Sequence, residues 1–428
     1  MTASYSITYL VGLVLALLLV PVIIRLARKY QWVDLPNARS VHVQPIARLG
    51  GIAIFVSFLV AIVCTFALRN AVGASRQEPW TPILALLFAS TIVFFVGLYD
   101  DLKDARVLHK LLAQFAGAMV LTLAGARVTH ITIQDLCSID LGWMSYPVTF
   151  LWIIGVTNAI NLLDGLDGLA GGVSAIACAA FAVLAIIQGN TVIAILMFGL
   201  FGALTGFLFF NSHPACIFMG DCGSLFLGFT IAGASVLMAN KTQSLIGIGL
   251  PILVLGVPIF DTIFSMLRRF LERRGLTSPD KGHFHHRLLQ RGFTQQQVAF
   301  VVCGITIVVS CLGMLMLATR GFESVLLFAT GLILLMLVFR LVGAIRLTKT
   351  LHDIRDRSTL SRTQRIERKA FEEAQLHFKN AEGFDEWWCC MCIAAAAMDF
   401  ARICLEIPVR DGNSRMLEWN SDRHMKAE

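Results

Sequence analysis

The chain has 428 residues, 57% of them hydrophobic and only 15% charged, with a mean hydropathy of +0.73. That is too little polar surface to cover a water-soluble globule of this size, so a soluble domain is excluded and a bilayer is the natural solvent. The net charge of +7 is modest and unevenly spread, which makes it a topology signal and poor evidence for nucleic-acid binding.

Apolar runs of about 20 residues, the length that spans a hydrocarbon core, recur along the chain near 5–25, 50–68, 81–99, 111–126, 146–163, 168–187, 191–210, 222–239, 245–266, 297–318 and 323–345. Lipid forces every backbone group to be bonded within its own segment. The fold class expected is therefore an all-α polytopic integral membrane protein with about eleven transmembrane helices. The first run passes straight into Arg25, Arg28 and Lys29 and has no basic leader before it, as a retained anchor would and a removable signal peptide would not.

The Lys and Arg residues fix an orientation. Loops after the first, third and ninth runs hold Arg25, Arg28, Lys29, Arg39 and Arg48, then Lys103, Arg106 and Lys110, then Arg268, Arg269, Arg273, Arg274, Lys281, Arg287 and Arg291. The opposite loops hold only Arg69, Arg76, Arg127, Lys241 and Arg320. The positive-inside rule puts the N-terminus outside and the C-terminus in the cytoplasm. Nearly all the unusual polar residues then fall on the cytoplasmic side.

Four constellations stand out there. In GLYDDLKD, Asp100 and Asp101 close the third run and Asp104 follows; adjacent carboxylates repel unless a divalent cation or a basic group is near. Lys110 begins the next run, where an ammonium reaches the interface or an anionic phosphate. In NAINLLDGLDGLAGG, Asn158, Asn161, Asp164 and Asp167 recur at three-residue steps and so share one face of a helix end. Boundary carboxylates are expensive and usually functional. In FMGDCGSLFLGF, Asp221 opens an apolar helix, as an N-cap or as a metal ligand. In HFHHRL, His283, His285, His286 and Arg287 lie in the long basic loop; their donors suit a diphosphate or sugar hydroxyls better than they suit zinc.

Taken together and in this order, VHVQPIARLGG, the paired aspartates with HKLLAQF, NxxNxxDGxDGLA, FMGD and the histidine motif resemble the polyprenyl-phosphate N-acetylhexosamine-1-phosphate transferases, over about residues 30–295. The HxHH form is similar to the WecA-type branch, which uses UDP-GlcNAc, more than to the MraY type. The resemblance implies transfer of N-acetylglucosamine 1-phosphate from UDP-GlcNAc to undecaprenyl phosphate, giving UMP, as the first membrane step of cell-envelope polysaccharide synthesis on the cytoplasmic face of a bacterial inner membrane. It implies Mg2+, with Mn2+ as a substitute, held by Asn161 and Asp221. Asp100 and Asp101 look like the catalytic pair, Asp164 and Asp167 like acids of catalysis or nucleotide placement, and Lys110, Asn158, His283, His285, His286 and Arg287 like substrate contacts. Partners implied are the UDP-sugar, the polyprenyl phosphate and the bilayer, with no nucleic acid; a homodimer is allowed.

Residues 1–348 are read as the catalytic membrane domain and 349–428 as a charged cytoplasmic extension, with 363–378 as an exposed helix and EWWCCMCIAAAAM too short to span. Of the eleven cysteines, those within apolar runs behave as small hydrophobes, and no disulfide or zinc site is inferred. Two other readings stay open: the same chemistry with another donor such as UDP-FucNAc, or a cation-coupled transporter, which would place its acids at mid-bilayer.

Overall fold

The computed structural model describes residues 2–34, 45–69, 80–133, 137–242, 245–271, 282–319, 321–343, 381–398, 400–408 and 414–421, with single positions at 372, 375, 378 and 379. The chain forms two compact units, residues 1–270 with 274–345, and residues 271–273 with 346–428.

The first unit is a helical bundle. Its helices are α1 (Thr2–Lys29), α2 (Gly50–Arg69), α3 (Trp80–Lys103), α4 (Val107–Leu123), α5 (Ser145–Leu163), α6 (Leu169–Ile187), α7 (Thr191–Asn211), α8 (Gly220–Thr242), α9 (Leu245–Val254), α10 (Gly256–Leu271), α11 (Phe284–Gln290), α12 (Gln295–Leu315) and α13 (Phe322–Leu341). Among the described residues nine helices are long and apolar enough to cross a membrane, which makes this a polytopic helical membrane protein.

The expected eleven spans are not reproduced. The run over 245–266 is a broken pair, α9 and α10, bent by 72°. Pro258 lies in the first turn of α10 and has no N–H to offer the carbonyl four residues earlier, which opens the ladder there. α4 has 17 residues, about 26 Å of helix, short of the roughly 30 Å hydrocarbon core.

Close backbone approach organises the bundle. α1 packs on α7, where a side chain added at Gly202 would meet the Tyr9 carbonyl oxygen at 2.1 Å and one at Gly206 the Leu13 carbonyl oxygen at 2.6 Å. This four-residue glycine spacing is what lets apolar helices touch where no hydrophobic force drives them together. α8 is the most enclosed of the nine, with 94% of its spanning window buried against 22% for α1 and α13. It packs against α2, α3 and α5. Phe55 stacks on Phe94 at 4.0 Å and meets Phe226 edge-on at 5.2 Å, tying α2, α3 and α8 together. A second core gathers Leu163, Leu169, Leu253, Phe284 and Phe339 from α5, α6, α9, α11 and α13.

Short extended segments stitch the helix ends. β1 (Val33–Asp34) pairs with β2 (Ile46–Ala47). Ala47 bridges Ile217 in parallel, Phe218 N–H donates to the Ala47 carbonyl at 2.8 Å, and Gly50 and Gly51 N–H donate to the Phe218 and Met219 carbonyls at 2.9 and 2.8 Å. The start of α2 is thereby locked beside the start of α8. β3 (His130–Ile133) and β4 (Cys137–Asp140) form a hairpin between α4 and α5.

The spanning segments are all helical, as expected, and the second unit adds strands to them. Beyond a helix at Phe384–Ala397 it contains an antiparallel hairpin of β5 (Arg402–Pro408) and β6 (Ser414–Asn420), in register from Arg402↔Asn420 to Pro408↔Ser414. Ile403, Leu405 and Ile407 alternate with more exposed Arg402, Cys404 and Glu406, the period of a strand with one covered face. Seven-residue strands this short are easily lost behind a membrane-length hydropathy window. Of 363–378, only 372, 375 and 378 are described, and all are helical.

Gly51 sits where α2 touches α8: a Cβ there would lie 2.3 Å from the Gly223 nitrogen. Gly51→Ala is expected to lower stability by about 1–3 kcal/mol, the usual range for overpacking, whereas Gly155→Ala, which meets nothing within 4 Å, is expected to leave it unchanged. Melting curves of the two variants in detergent check this.

Candidate active site

The site is assembled at the N-terminal end of α8. Gly220 has φ of +76°, a left-handed conformation that glycine adopts freely. It also lies so close to α3 that an added Cβ would be 2.6 Å from the Asp101 carboxylate. Asp101 accepts the Asp221 N–H on Oδ1 and the Cys222 N–H on Oδ2, both at 2.9 Å. A carboxylate from another helix thus satisfies two of the orphan donors of α8, at the end where its dipole favours negative charge.

With the backbone held, the Asp221 side chain faces the ends of three other helices. Lys110 donates to Asp221 Oδ2 at 2.7 Å and to Asp100 Oδ2 at 2.9 Å. Asn161 donates through Nδ2 to Asp221 Oδ1 at 3.0 Å and to Ser224 Oγ at 2.8 Å. Lys110, Asp100 and Asp221 side chains are 20%, 13% and 28% exposed, so their attraction is screened less than that of a surface pair yet stays reachable from solvent. Four of the residues singled out in the sequence, from α3, α4, α5 and α8, therefore meet in one hydrogen-bonded group.

Asp164 caps the end of α5, beside this group. Burial, reinforced by the charges of Asp221 and Asp101 and opposed by Arg48, pushes its carboxyl up to about 8. Asp167 is directed elsewhere: its Oδ2 lies 2.8 Å from His213 Nδ1 and accepts the Ala215 N–H at 3.2 Å. Asn158 turns to α4, where it donates to Gln114 Oε1 at 2.6 Å and to the Ile154 carbonyl at 2.8 Å.

The histidine motif is anchored from below. The buried Asp261 of α10 accepts the Phe284 N–H at 2.7 Å and lies 3.1 Å from His283 Nδ1, which explains the one acid inside an apolar run. Arg287 donates to the Gly282 and Gly343 carbonyls. His285 is 2% exposed; its Nδ1 has no hydrogen-bond partner among the described residues, and a Cβ built at Gly165 would stand 3.3 Å from its Nε2. His286 packs on it at 4.5 Å between ring centroids. The motif therefore closes against the α5–α6 loop, with His283 and Arg287 fixing its backbone.

Sequence reasoning passed over Gln114, Ser224 and His213. Gln114 stands four residues after Lys110 on the same helix face, which a search for polar residues on apolar helices finds. His213 carried no local pattern of its own.

No group of three or more His, Cys, Asp or Glu side chains among the described residues is arranged to hold a metal ion. The donor set nonetheless suits a hard divalent cation that keeps most of its waters, because two carboxylates converge here and the Asn161 amide, which turns its Nδ2 to Asp221, offers its oxygen when rotated. The Lys110 ammonium already bridges Asp100 and Asp221, so the pocket accepts positive charge there.

The family described as Glycosyl transferase family 4 matches residues 83–239, the stretch that supplies α3 to α8. The chain is 35% identical over 297 residues to a Bacillus subtilis protein named "Probable undecaprenyl-phosphate N-acetylglucosaminyl 1-phosphate transferase", covering 69% of this chain and 80% of that one. It is 33% identical over 299 residues to a Mycobacterium tuberculosis "Decaprenyl-phosphate N-acetylglucosaminephosphotransferase", covering 65% and 74%. Against the Escherichia coli "Undecaprenyl-phosphate alpha-N-acetylglucosaminyl 1-phosphate transferase" it is 26% identical over 285 residues, covering 65% and 74%.

Burial pushes His285 down to about 4, opposed by the Asp261 charge and aided by His286 and His283. A depressed folded-state value means the unfolded chain binds the proton more readily, so this contribution to stability is full above about 6.5 and is lost as the pH falls towards about 4. The melting temperature in detergent is expected to fall over that window, and His285→Gln is expected to flatten the fall, by an amount on the order of 3 kcal/mol at its acid end.

Proposed function

The chain belongs to Glycosyl transferase family 4, and from that premise we propose that it transfers N-acetylglucosamine 1-phosphate from UDP-GlcNAc to undecaprenyl phosphate, at the cytoplasmic face of a bacterial inner membrane. The observation that carries this reading is the Asp100–Lys110–Asp221–Asn161 group at the α8 N-terminus. It supplies an ammonium, two carboxylates and an amide at the boundary where a lipid phosphate and a nucleotide sugar meet.

In the reaction, an oxygen of the lipid phosphate forms a bond to the sugar-bearing phosphorus. The bond from that phosphorus to the oxygen shared with the uridylate phosphorus breaks, and UMP leaves with the electron pair. Lys110 lies where it faces the diphosphate charge, and the Asp100 carboxylate on its other side orients the ammonium. Asp101 acts through the backbone: by holding the Asp221 and Cys222 N–H groups it fixes where the Asp221 carboxylate points. Asn161 and Asp221 would hold Mg2+, which when bound neutralises charge on the diphosphate. Asp164, whose carboxyl burial pushes up, holds its proton more readily than the other acids and so adds less negative charge against the incoming phosphates. His285 and its neighbours close the site over the α5–α6 loop.

Asp100 and Asp221 sit at helix ends and share one ammonium, an arrangement that serves transfer chemistry better than an ion path through mid-bilayer. The reading includes the orientation inferred from the charged loops, with the site on the Lys- and Arg-rich side.

Purified protein given UDP-[14C]GlcNAc, undecaprenyl phosphate and Mg2+ is expected to form butanol-extractable labelled lipid and equimolar UMP. Chelation should abolish this, and Asp221→Asn and Lys110→Gln should each reduce kcat by about a hundredfold or more, the scale of losing a charge aimed at the transition state. Transfer with a different UDP-sugar alone changes the donor, and folded protein inactive with every UDP-sugar refutes the reading.

A further inference from the structure

Three carboxylates, Asp100, Asp101 and Asp221, lie at the end of α3 and the start of α8, whereas both proposed substrates bring phosphate charge to the same place. Lys110 is already shared by two of the acids. A second cation stands beside the start of α8, with a long contact to Asp34 at 3.9 Å and no side-chain hydrogen bond among the described residues. Arg48 precedes α2 on the segment whose backbone is bonded to residues 217–219, two to four residues before Asp221.

Its backbone is held on both sides: the Arg48 N–H donates to the Trp32 carbonyl at 3.0 Å, and Gly50 N–H to the Phe218 carbonyl at 2.9 Å. Between them Leu49 is 2% exposed and has φ of +78°, a conformation that a bulky residue adopts only where its surroundings impose it. Arg48 beside it is only partly buried. The side chain itself is loosely held. Its nearest acid is Asp34, 3.9 Å from Nε, and the side chain is 41% exposed. Among the described residues no hydrogen bond restrains its guanidinium, while its charge reaches Asp164.

A fixed backbone, a strained neighbour and a loosely held fork of N–H donors beside an acidic site suit recognition of a tetrahedral oxyanion, because the guanidinium matches phosphate oxygens two at a time. We propose that Arg48 is a substrate-binding residue that takes phosphate oxygens of one of the two substrates, either the diphosphate of the nucleotide sugar or the monophosphate of the lipid. Its place beside the 217–219 segment, at the edge of the Asp221 group and not within it, gives it a role in holding the phosphate and leaves the group transfer to the residues around Lys110. The inference rests on the transferase reading above.

The test is steady-state kinetics of Arg48→Gln and Arg48→Lys, varying UDP-GlcNAc and undecaprenyl phosphate in turn. The expected result is a rise in KM for one substrate of about tenfold to a hundredfold, with a smaller change in kcat and in the KM of the other. Which KM moves tells which phosphate Arg48 holds. Arg48→Lys, which keeps the charge and loses the fork, is expected to lie between wild type and Arg48→Gln at an unchanged melting temperature, and it decides the matter if Arg48→Gln does not fold. Wild-type values of both KM in Arg48→Lys and Arg48→Gln, or a loss confined to kcat, overturn the assignment of Arg48 alone. Wild-type protein that releases no UMP overturns the transferase reading and the role of Arg48 with it.

Discussion

The constraint on which the rest of the structure depends is electrostatic: several carboxylates are gathered at the ends of apolar helices, where charge is expensive unless it is paired. The chain meets it with two devices. Asp101 is turned onto the α8 backbone, where two N–H groups and the helix dipole receive it. Asp100 and Asp221 share the Lys110 ammonium. The first device fixes the backbone at Asp221; the second fixes its side chain. Neither works unless α3, α4 and α8 meet within a hydrogen bond of one another.

That meeting explains the small residues. Gly97 of α3 lies so close to α8 that a Cβ would stand 2.7 Å from the Asp221 carbonyl oxygen, and Gly51 and Gly223 touch backbone to backbone. Glycine here is a matter of distance between helices. The aromatic cluster of Phe55, Phe94 and Phe226 then packs the same three elements along their length. Stability and site geometry therefore draw on the same contacts.

Much of this was legible in the sequence. The apolar runs gave the spans because hydrocarbon leaves the backbone one local solution, and Asp100, Asp221, Asn161 and Lys110 were selected as polar residues at the ends of such runs. Three things were not legible. The break between α9 and α10 was hidden because a hydropathy window averages over Pro258. The division of labour between Asp100 and Asp101 depends on which carboxylate faces α8, which adjacent positions cannot reveal. The partners of Asn158, Asp167 and His283, namely Gln114, His213 and Asp261, come from elements distant in the chain and could only be seen once the helices were packed.

The central claim is that Lys110 and Asp221 act as one unit. A double-mutant cycle tests it most directly: unfolding free energies of wild type, Lys110→Gln, Asp221→Asn and the double variant, measured in the same detergent. The account predicts that the double variant loses less than the sum of the singles, with a coupling of about 1–3 kcal/mol. Additive losses, within about 0.5 kcal/mol, would contradict it.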